Sequence, residues 1–250
     1  MNFSPLDATP ALPAPNHDAV RLCDEYEAAH AETPLVPPSG GDFHQAFCLP
    51  DGSAAVVLGD VSGHGPEAAA HAERLRTAIA GCLAEGISPA DALGFVNAAA
   101  EMDPDFPGFA TVFAAKVAAK TGVLTYASGG HEPALVADGE KSRAAVRELE
   151  STGPPVGAIG AEVARFEQKQ AVLPEGGTLL LYTDGATEAR RGRRFLGFEG
   201  FRVLFARFAH LTLARLTRKL LGRVRAFAGG SRLRDDIALL ALRRHPTRDE

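Results

Sequence analysis

The chain has 250 residues, 46% hydrophobic and 23% charged, with a net charge of −5. A chain of this size buries most of its unfolded surface without needing a disulfide or a structural metal, and the balance is that of an ordinary globular protein. No apolar run reaches membrane-spanning length and no basic-then-apolar leader opens the sequence, so the chain reads as cytoplasmic, with no membrane partner. Cys23, Cys48 and Cys82 are odd in number and unclustered, and are expected to be buried, reduced thiols.

Residues 1–20 are rich in Pro and Ala and are expected to form a flexible leader, followed by a single domain over 21–245 and a tail over 246–250. A short helix is expected over Asp18–Ala31, closed by Pro34, Pro37 and Pro38, which force an extended approach to the next segment.

That segment, Gly40 to Pro66, organises the rest. Two β-prone runs flank Pro50-Asp51-Gly52, in which Pro presets φ and Gly accepts positive φ, so the spacing predicts a hairpin. Asp51 is equidistant from Asp42 and Asp60, which antiparallel pairing therefore sets opposite each other. Side chains so placed lie ~5 Å apart at Cβ. Two carboxylates that close repel unless a proton or cation sits between them. Taken singly, each Asp reads equally well as a turn or cap residue. As a pair in register, with Gly40-Gly41 and Gly63/Gly65 freeing the backbone at both ends, they point to a divalent cation.

After the hairpin a helix is expected from Pro66 to Glu85, with Ala72, Leu75, Ile79 and Leu83 as its apolar stripe, and a second from Pro89 to Glu101 capped by Ser88. A second hairpin follows, Phe109–Ala118 with Val123–Ser128, then a loop at Gly129-Gly130-His131 and a short strand at Pro133–Ala137. Asp138–Leu149 reads as an exposed excursion, Gly153–Gly157 as a rigid turn, Val163–Val172 as a strand and Leu179–Tyr182 as a buried strand delivering Thr183-Asp184-Gly185. Helices are expected over Gly200–Ala209 and Leu213–Phe227, the latter ended by Gly229-Gly230, before Asp235-Asp236 opens a last strand, Ile237–Leu242. Strands in hairpins with helices in blocks argue for α+β with antiparallel sheets, and helices on one side of each of two stacked sheets fit.

If the strands at 179–182 and 237–242 are antiparallel neighbours, Asp184 and Asp235 meet at one sheet end, giving with Asp42 and Asp60 four carboxylates just outside apolar strands. Oxygen-only ligation selects Mg²⁺, Mn²⁺ or Ca²⁺, and a pair of such ions is a recurrent device for phosphoryl hydrolysis. Competing chemistries fail on the sequence: it holds no Cys-x₅-Arg, no Gly-x-Ser-x-Gly, no Walker A loop, no His-Glu-x-x-His and no paired-cysteine zinc spacing.

Six motifs stand in order: Gly-Gly-Asp42-Phe, Gly-Asp60-Val-Ser-Gly-His-Gly, Phe109-Ala-Thr-Val-Phe, Gly129-Gly-His131-x-Pro, Tyr182-Thr-Asp184-Gly-x-Thr-Glu188 and Asp235-Asp236-Ile-Ala-Leu-Leu. The set, spanning Thr33 to Arg244, resembles the metal-dependent protein phosphatases (PPM) in their bacterial, SpoIIE/RsbU-like branch. The resemblance implies a four-layer α-β-β-α sandwich over 21–245. It implies two Mn²⁺ or Mg²⁺ ions held by Asp42, Asp60, the Val61 carbonyl, Asp184 and Asp235, which act through metal-bound water. The implied substrate is a phosphoserine or phosphothreonine protein, commonly an anti-sigma-factor antagonist in a partner-switching pathway that regulates a sigma factor. Two departures stand out: His44-Gln45 where the branch often has Tyr-Asp, and Ala238 where it has Thr. The four intact Asp positions favour an enzyme, while these departures keep open the alternative of a pseudophosphatase that binds phosphoprotein without turnover.

The remaining candidates read two ways. His64 could protonate a leaving oxygen or be an exposed turn residue; His131 could touch phosphate or order its loop; Glu188 could support Asp184 or be an acid at a helix start. Between Arg190 and Arg225 lie eleven Lys or Arg and one acid, leaving −15 for the remainder. The stretch is a solvated helical face or a docking surface for an acidic protein. A nucleic-acid surface ranks last, because aromatics are not interleaved with the charges. The sequence assigns no oligomeric state.

Overall fold

The computed structural model describes residues 18–33, 40–138, 144–229 and 235–246. In chain order the elements begin with strands β1 (Val20–Cys23), β2 (Tyr26–Thr33), β3 (Gly40–Cys48) and β4 (Ala54–His64), then helices α1 (Pro66–Ala84) and α2 (Pro89–Met102). Strands β5 (Ala110–Val117), β6 (Val123–Gly129), β7 (Ala134–Ala137), β8 (Val146–Leu149), β9 (Lys169–Val172) and β10 (Thr178–Tyr182) follow. A 3₁₀ turn at Asp184–Ala186 leads to the small hairpin β11 (Arg190–Arg191) and β12 (Arg194–Phe195), then α3 (Gly197–Phe208), α4 (Leu213–Ala228) and β13 (Ile237–Arg244).

Two antiparallel sheets stack face to face. One has the order β1-β2-β13-β10-β7-β8, the other β3-β4-β5-β6-β9. Strand alternation sends one set of side chains between the sheets and the other against helices. Ala46, Val56, Leu58, Phe113, Leu181 and Leu240 fill the inter-sheet core. Phe43, Phe47, Val57 and Val112 face α1 and α2, where the stripe Ala72, Leu75, Ile79 and Leu83 meets them. Leu180, Tyr182 and Leu239 face Phe201, Phe205, Leu216 and Leu220 of α3 and α4. The α-β-β-α order expected from the resemblance is thus present, with three apolar layers. Each fully buried Phe or Leu in them contributes about 1.5–3 kcal/mol.

The helix starts follow local chemistry. Ser88 accepts the Asp91 backbone N–H at 3.1 Å and caps α2, and Pro66 sits in the first turn of α1, where no hydrogen bond is lost. At the far end of α4, Gly229 takes the left-handed conformation that closes the helix.

Four expectations need correction. Asp18–Ala31 is not helical: it forms β1 and most of β2. Its alanines serve close packing, since Ala28 lies between the sheets while Ala29 and Ala31 lie under the helices. A strand covered on both faces shows neither helical nor simple alternating periodicity. Second, Cys23 and Cys48 are not thiols but are joined as a disulfide, with Cα atoms 5.7 Å apart, whereas Cys82 is free and buried as expected. The pairing joins β1 to β3 across two sheets, a proximity that sequence spacing does not carry. Third, the excursion at Asp138–Leu149 ends in an edge strand, β8, paired with β7. Fourth, Val163–Val172 is extended only at Lys169–Val172, because Val163 and Ala164 turn back to bond the Gly160 carbonyl.

Of the leader expected over 1–20, residues 1–17 lie outside the described residues, while Val20 already opens β1; the proline approach at 34–39 and residues 247–250 of the tail expected over 246–250 also lie outside them. Among the described residues, no helix is long and apolar enough to cross a membrane.

Candidate active site

The hairpin geometry places the first two carboxylates as the arithmetic requires. Asp42 on β3 pairs with Asp60 on β4, and Gly52 at the turn has φ +80°. Both Asp side chains fall on the inter-sheet face, in line with Ala46 and Val56, which are themselves register partners. On the other sheet β10 pairs with β13, Tyr182 opposite Leu239, so Asp184 and Asp235 extend past the same end.

Thr183 links the two sheets at this rim. Its hydroxyl donates to Asp42 Oδ2 at 3.0 Å and accepts the Ala238 backbone N–H at 2.9 Å. The motif reading passed over Thr183, although alternation from Leu181 already puts it on the inter-sheet face. Replacing it with Val would leave a buried N–H unpaired and Asp42 without this anchor. Thr183→Val is expected to weaken Mn²⁺ affinity roughly 10–100-fold by calorimetric titration, with the fold retained.

The electrostatics is that of acids crowded together. Burial and then the neighbouring Asp60 push the Asp42 carboxyl well above its usual range, against the pull of the Thr183 hydroxyl. Asp60 is pushed up to about 7 by burial and by Asp184, Asp235 and Asp236. Asp184 is raised by burial and by Glu188, and Asp235 by burial and by Asp184 and Asp236. Among the described residues, no ion pair joins Asp42, Asp60, Asp184 or Asp235 to a basic side chain. Glu132, raised by burial and by Asp184 and Glu188, adds to the same negative field; no motif pointed to it.

Glycines let the backbone close around this cluster. A Cβ on Gly41 would sit 2.0 Å from the Val61 carbonyl oxygen and 2.6 Å from Asp60 Oδ1. One on Gly40 would sit 1.4 Å from Asp236 Oδ2, and one on Gly185 1.9 Å from the Asp236 carbonyl oxygen. Gly63 and Gly65, by contrast, have open space but φ of +102° and +88°, so they serve the turn into α1.

Do these residues fit a divalent cation? Among the described residues, no three His, Cys, Asp or Glu side chains close into a ready-made cage. The donors are nevertheless all oxygen, mutually repelling and free of a basic partner in the described set. Mg²⁺ keeps several waters and takes only one or two carboxylates directly, so the set fits a hard, hydrated ion.

The other candidates divide. His64 is exposed. His131 is buried, with Nδ1 2.9 Å from the Thr111 hydroxyl, and orders its loop against β5. Glu188 is exposed one turn beyond Asp184, its N–H bonded to the Asp184 carbonyl. Gln45 faces α1, accepting Arg76 Nη1 at 2.6 Å, so this departure lies on the sheet face opposite Asp42. His44 packs against His30 at 4.6 Å and lines, with Asp42, Asp236 and Arg76, a cavity of about 280 Å³ beside the rim. Ala238 lies in the inter-sheet core.

His131 also sets a pH dependence. Burial pushes its pKa down to about 4, against the Tyr182 backbone, so the folded protein holds it neutral while the unfolded chain protonates near 6.5. The unfolded state then binds more protons between these values, and stability is lost as pH falls from about 6.5 through 4. In chemical melts, His131→Asn is expected to lose less stability than the unsubstituted protein over that window.

Comparison with known proteins agrees with this geometry. The family model described as Stage II sporulation protein E (SpoIIE) matches residues 50–245, a span holding Asp60, Asp184 and Asp235 but not Asp42. Protein IcfG of Synechocystis is 29% identical over 82% of this chain and 36% of its own length. Phosphoserine phosphatase RsbU of Bacillus subtilis is 27% identical over 82% of this chain and 59% of its own. The chain thus spans between about a third and three fifths of these curated relatives. The solved RsbU and RsbW domains of Rv1364c from Mycobacterium tuberculosis superpose with a TM-score of 0.76 at 30% identity, covering 92% of this chain and 63% of that one. With the fold, the ordered motifs and a family match over most of its length in agreement, the chain belongs to the Stage II sporulation protein E (SpoIIE) family.

Proposed function

We propose that this chain is a divalent-metal-dependent phosphatase that hydrolyses phosphoserine or phosphothreonine on a regulatory protein, with an anti-sigma-factor antagonist as the client. The reading places the activity in a single domain over 21–245. What carries it is the register pair Asp42–Asp60 sharing one rim with Asp184 and Asp235. Bacillus subtilis RsbU, named a phosphoserine phosphatase, supports the substrate class.

In this reading Asp42 and Asp60, with the Val61 carbonyl, hold one side of a two-ion Mn²⁺ or Mg²⁺ site, and Asp184 and Asp235 hold the other. Bound there, the cations would polarise the phosphoryl oxygens and make water a competent nucleophile near neutral pH. The chain's own residues set the geometry. Thr183 fixes the rotation of Asp42, and Gly41 lets the Val61 carbonyl and Asp60 Oδ1 converge. The surrounding acids repel a phosphate dianion, so productive substrate binding requires the positive charge to be in place.

The test is turnover of p-nitrophenyl phosphate and of a phosphoserine peptide, with and without Mn²⁺. Activity that needs the metal and disappears in Asp184→Asn supports the proposal. No metal-dependent turnover would point instead to a phosphoprotein-binding module. A pull-down with the inactive variant would then identify the client.

A further inference from the structure

A second concavity lies away from the carboxylate rim. It is a groove of about 1070 Å³ between the C-terminal half of α3 and the N-terminal half of α4. It lies at the opposite end of the sheet from the acids. Arg243, near the end of β13, donates to the Ala209 carbonyl at 2.7 Å and so ties the α3–α4 turn to that end. From Ile237 to Arg243 is six strand steps, roughly 20 Å.

The groove has an apolar floor and a basic rim. Val203, Ala206, Phe208 and Leu211 form the floor, and Val203 is 58% exposed. Arg207, Arg215, Arg218 and Lys219 form the rim, all exposed, and among the described residues no acid lines the groove. Among the described residues these four meet no carboxylate; Arg202, at the edge, is already paired with Glu199 at 2.8 Å. A solvated helical face needs no such order. On α4 the buried stripe Leu213, Leu216, Leu220 and Val224 is met by helix and sheet, whereas the basic side chains rise beside a second, unfilled apolar trough.

We propose that this groove is a docking site for an acidic, amphipathic helix of a partner protein, separate from the catalytic rim and independent of whether that rim turns over. A helix about 10 Å across would occupy the volume over roughly two to three turns. Its apolar face would cover Val203 and Leu211, as in helix-in-groove recognition. Its carboxylates would meet guanidinium groups, whose planar fork suits them. The charge contrast favours this occupant: the stretch from Arg190 to Arg225 carries +10 on a chain of net −5. Nucleic acid is disfavoured, because among the described residues Phe208 is buried and His210 alone among the exposed lining residues carries a ring, too little for a stacking platform.

The probe is a fluorescein-labelled 18-residue helical peptide with Leu at every third or fourth position and Glu elsewhere, read by fluorescence anisotropy against the full chain. Saturable binding is expected that weakens with salt and falls at least tenfold in Arg215→Glu/Arg218→Glu. Circular dichroism and p-nitrophenyl phosphate turnover should be unchanged in that variant, and the milder Arg215→Ala should give an intermediate loss. The proposal is overturned if the Glu peptide binds no better than its Lys counterpart, or if the double variant binds it equally well. It is also overturned if a 20-nucleotide oligo(dT) or phosphatidylglycerol vesicles bind more tightly than the peptide and lose binding in the same variant.

Discussion

Asp60→Asn is expected to lower metal-dependent phosphatase turnover by at least about 10³-fold while making the metal-free protein more stable. The activity loss follows from position. Asp60 lies across from Asp42 and within the fields of Asp184, Asp235 and Asp236, so in the proposed site it stands with Asp42 where the two halves of the site meet. Removing one group that stabilises transition-state charge costs about 10²–10³ in other enzymes, and a carboxylate that holds the metal itself should cost at least the upper value. The stability gain follows from the sign of the shift. Asp60 titrates near 3.9 in an unfolded chain and at about 7 in the fold. The folded state therefore binds more protons between those values, and stability is lost as pH rises from about 4 through 7. Asparagine carries no such penalty. Above pH 7, with chelator present, the variant should melt higher, by about 1–4 kcal/mol in free energy. A structural aspartate would show the reverse, with activity and stability falling together.

Gly41→Ala is expected to reduce activity by at least about 100-fold and to cost about 1–3 kcal/mol in stability. The reason is space. The added methyl would overlap the Val61 carbonyl oxygen, 2.0 Å away, and crowd Asp60 Oδ1 at 2.6 Å. A backbone carbonyl in a strand cannot step aside without moving β4, and β4 carries Asp60. Gly63→Ala is the control. It meets nothing within 4 Å but has φ +102°, so it should cost comparable stability through backbone strain and spare much more of the activity. Thermal melts and Mn²⁺-dependent kinetics on the two variants separate crowding at the site from strain beside it.

Much of this site was legible in the sequence, because antiparallel pairing is arithmetic. Once Pro50-Asp51-Gly52 is taken as the turn, the opposition of Asp42 and Asp60 follows, and the register confirms it. Asp184 and Asp235 were harder, since their meeting required β10 and β13 to be neighbours despite more than fifty intervening residues; the pairing is there. What the sequence hid was contact across layers. Thr183 reaches Asp42 from the other sheet. Glu132 joins the acids from a loop that no periodicity locates. The helix expected over Asp18–Ala31 is instead β1 and most of β2, whose alanines pack on both faces, a setting that overrides alanine's helical preference. Cys23 and Cys48 likewise meet only through the stacking of β1 on β3. The groove on α3 and α4 was foreshadowed by its charge, but its apolar floor emerged only from the way the two helices cross.

The most direct measurement is anomalous diffraction from crystals grown with Mn²⁺. Two manganese peaks among Asp42, Asp60, Asp184 and Asp235, one of them also touching the Val61 carbonyl, are predicted, with both absent in Asp60→Asn. Well-diffracting crystals in millimolar Mn²⁺ with no peak among these carboxylates, or with manganese bound only elsewhere, would contradict the proposal that this rim is the metal centre.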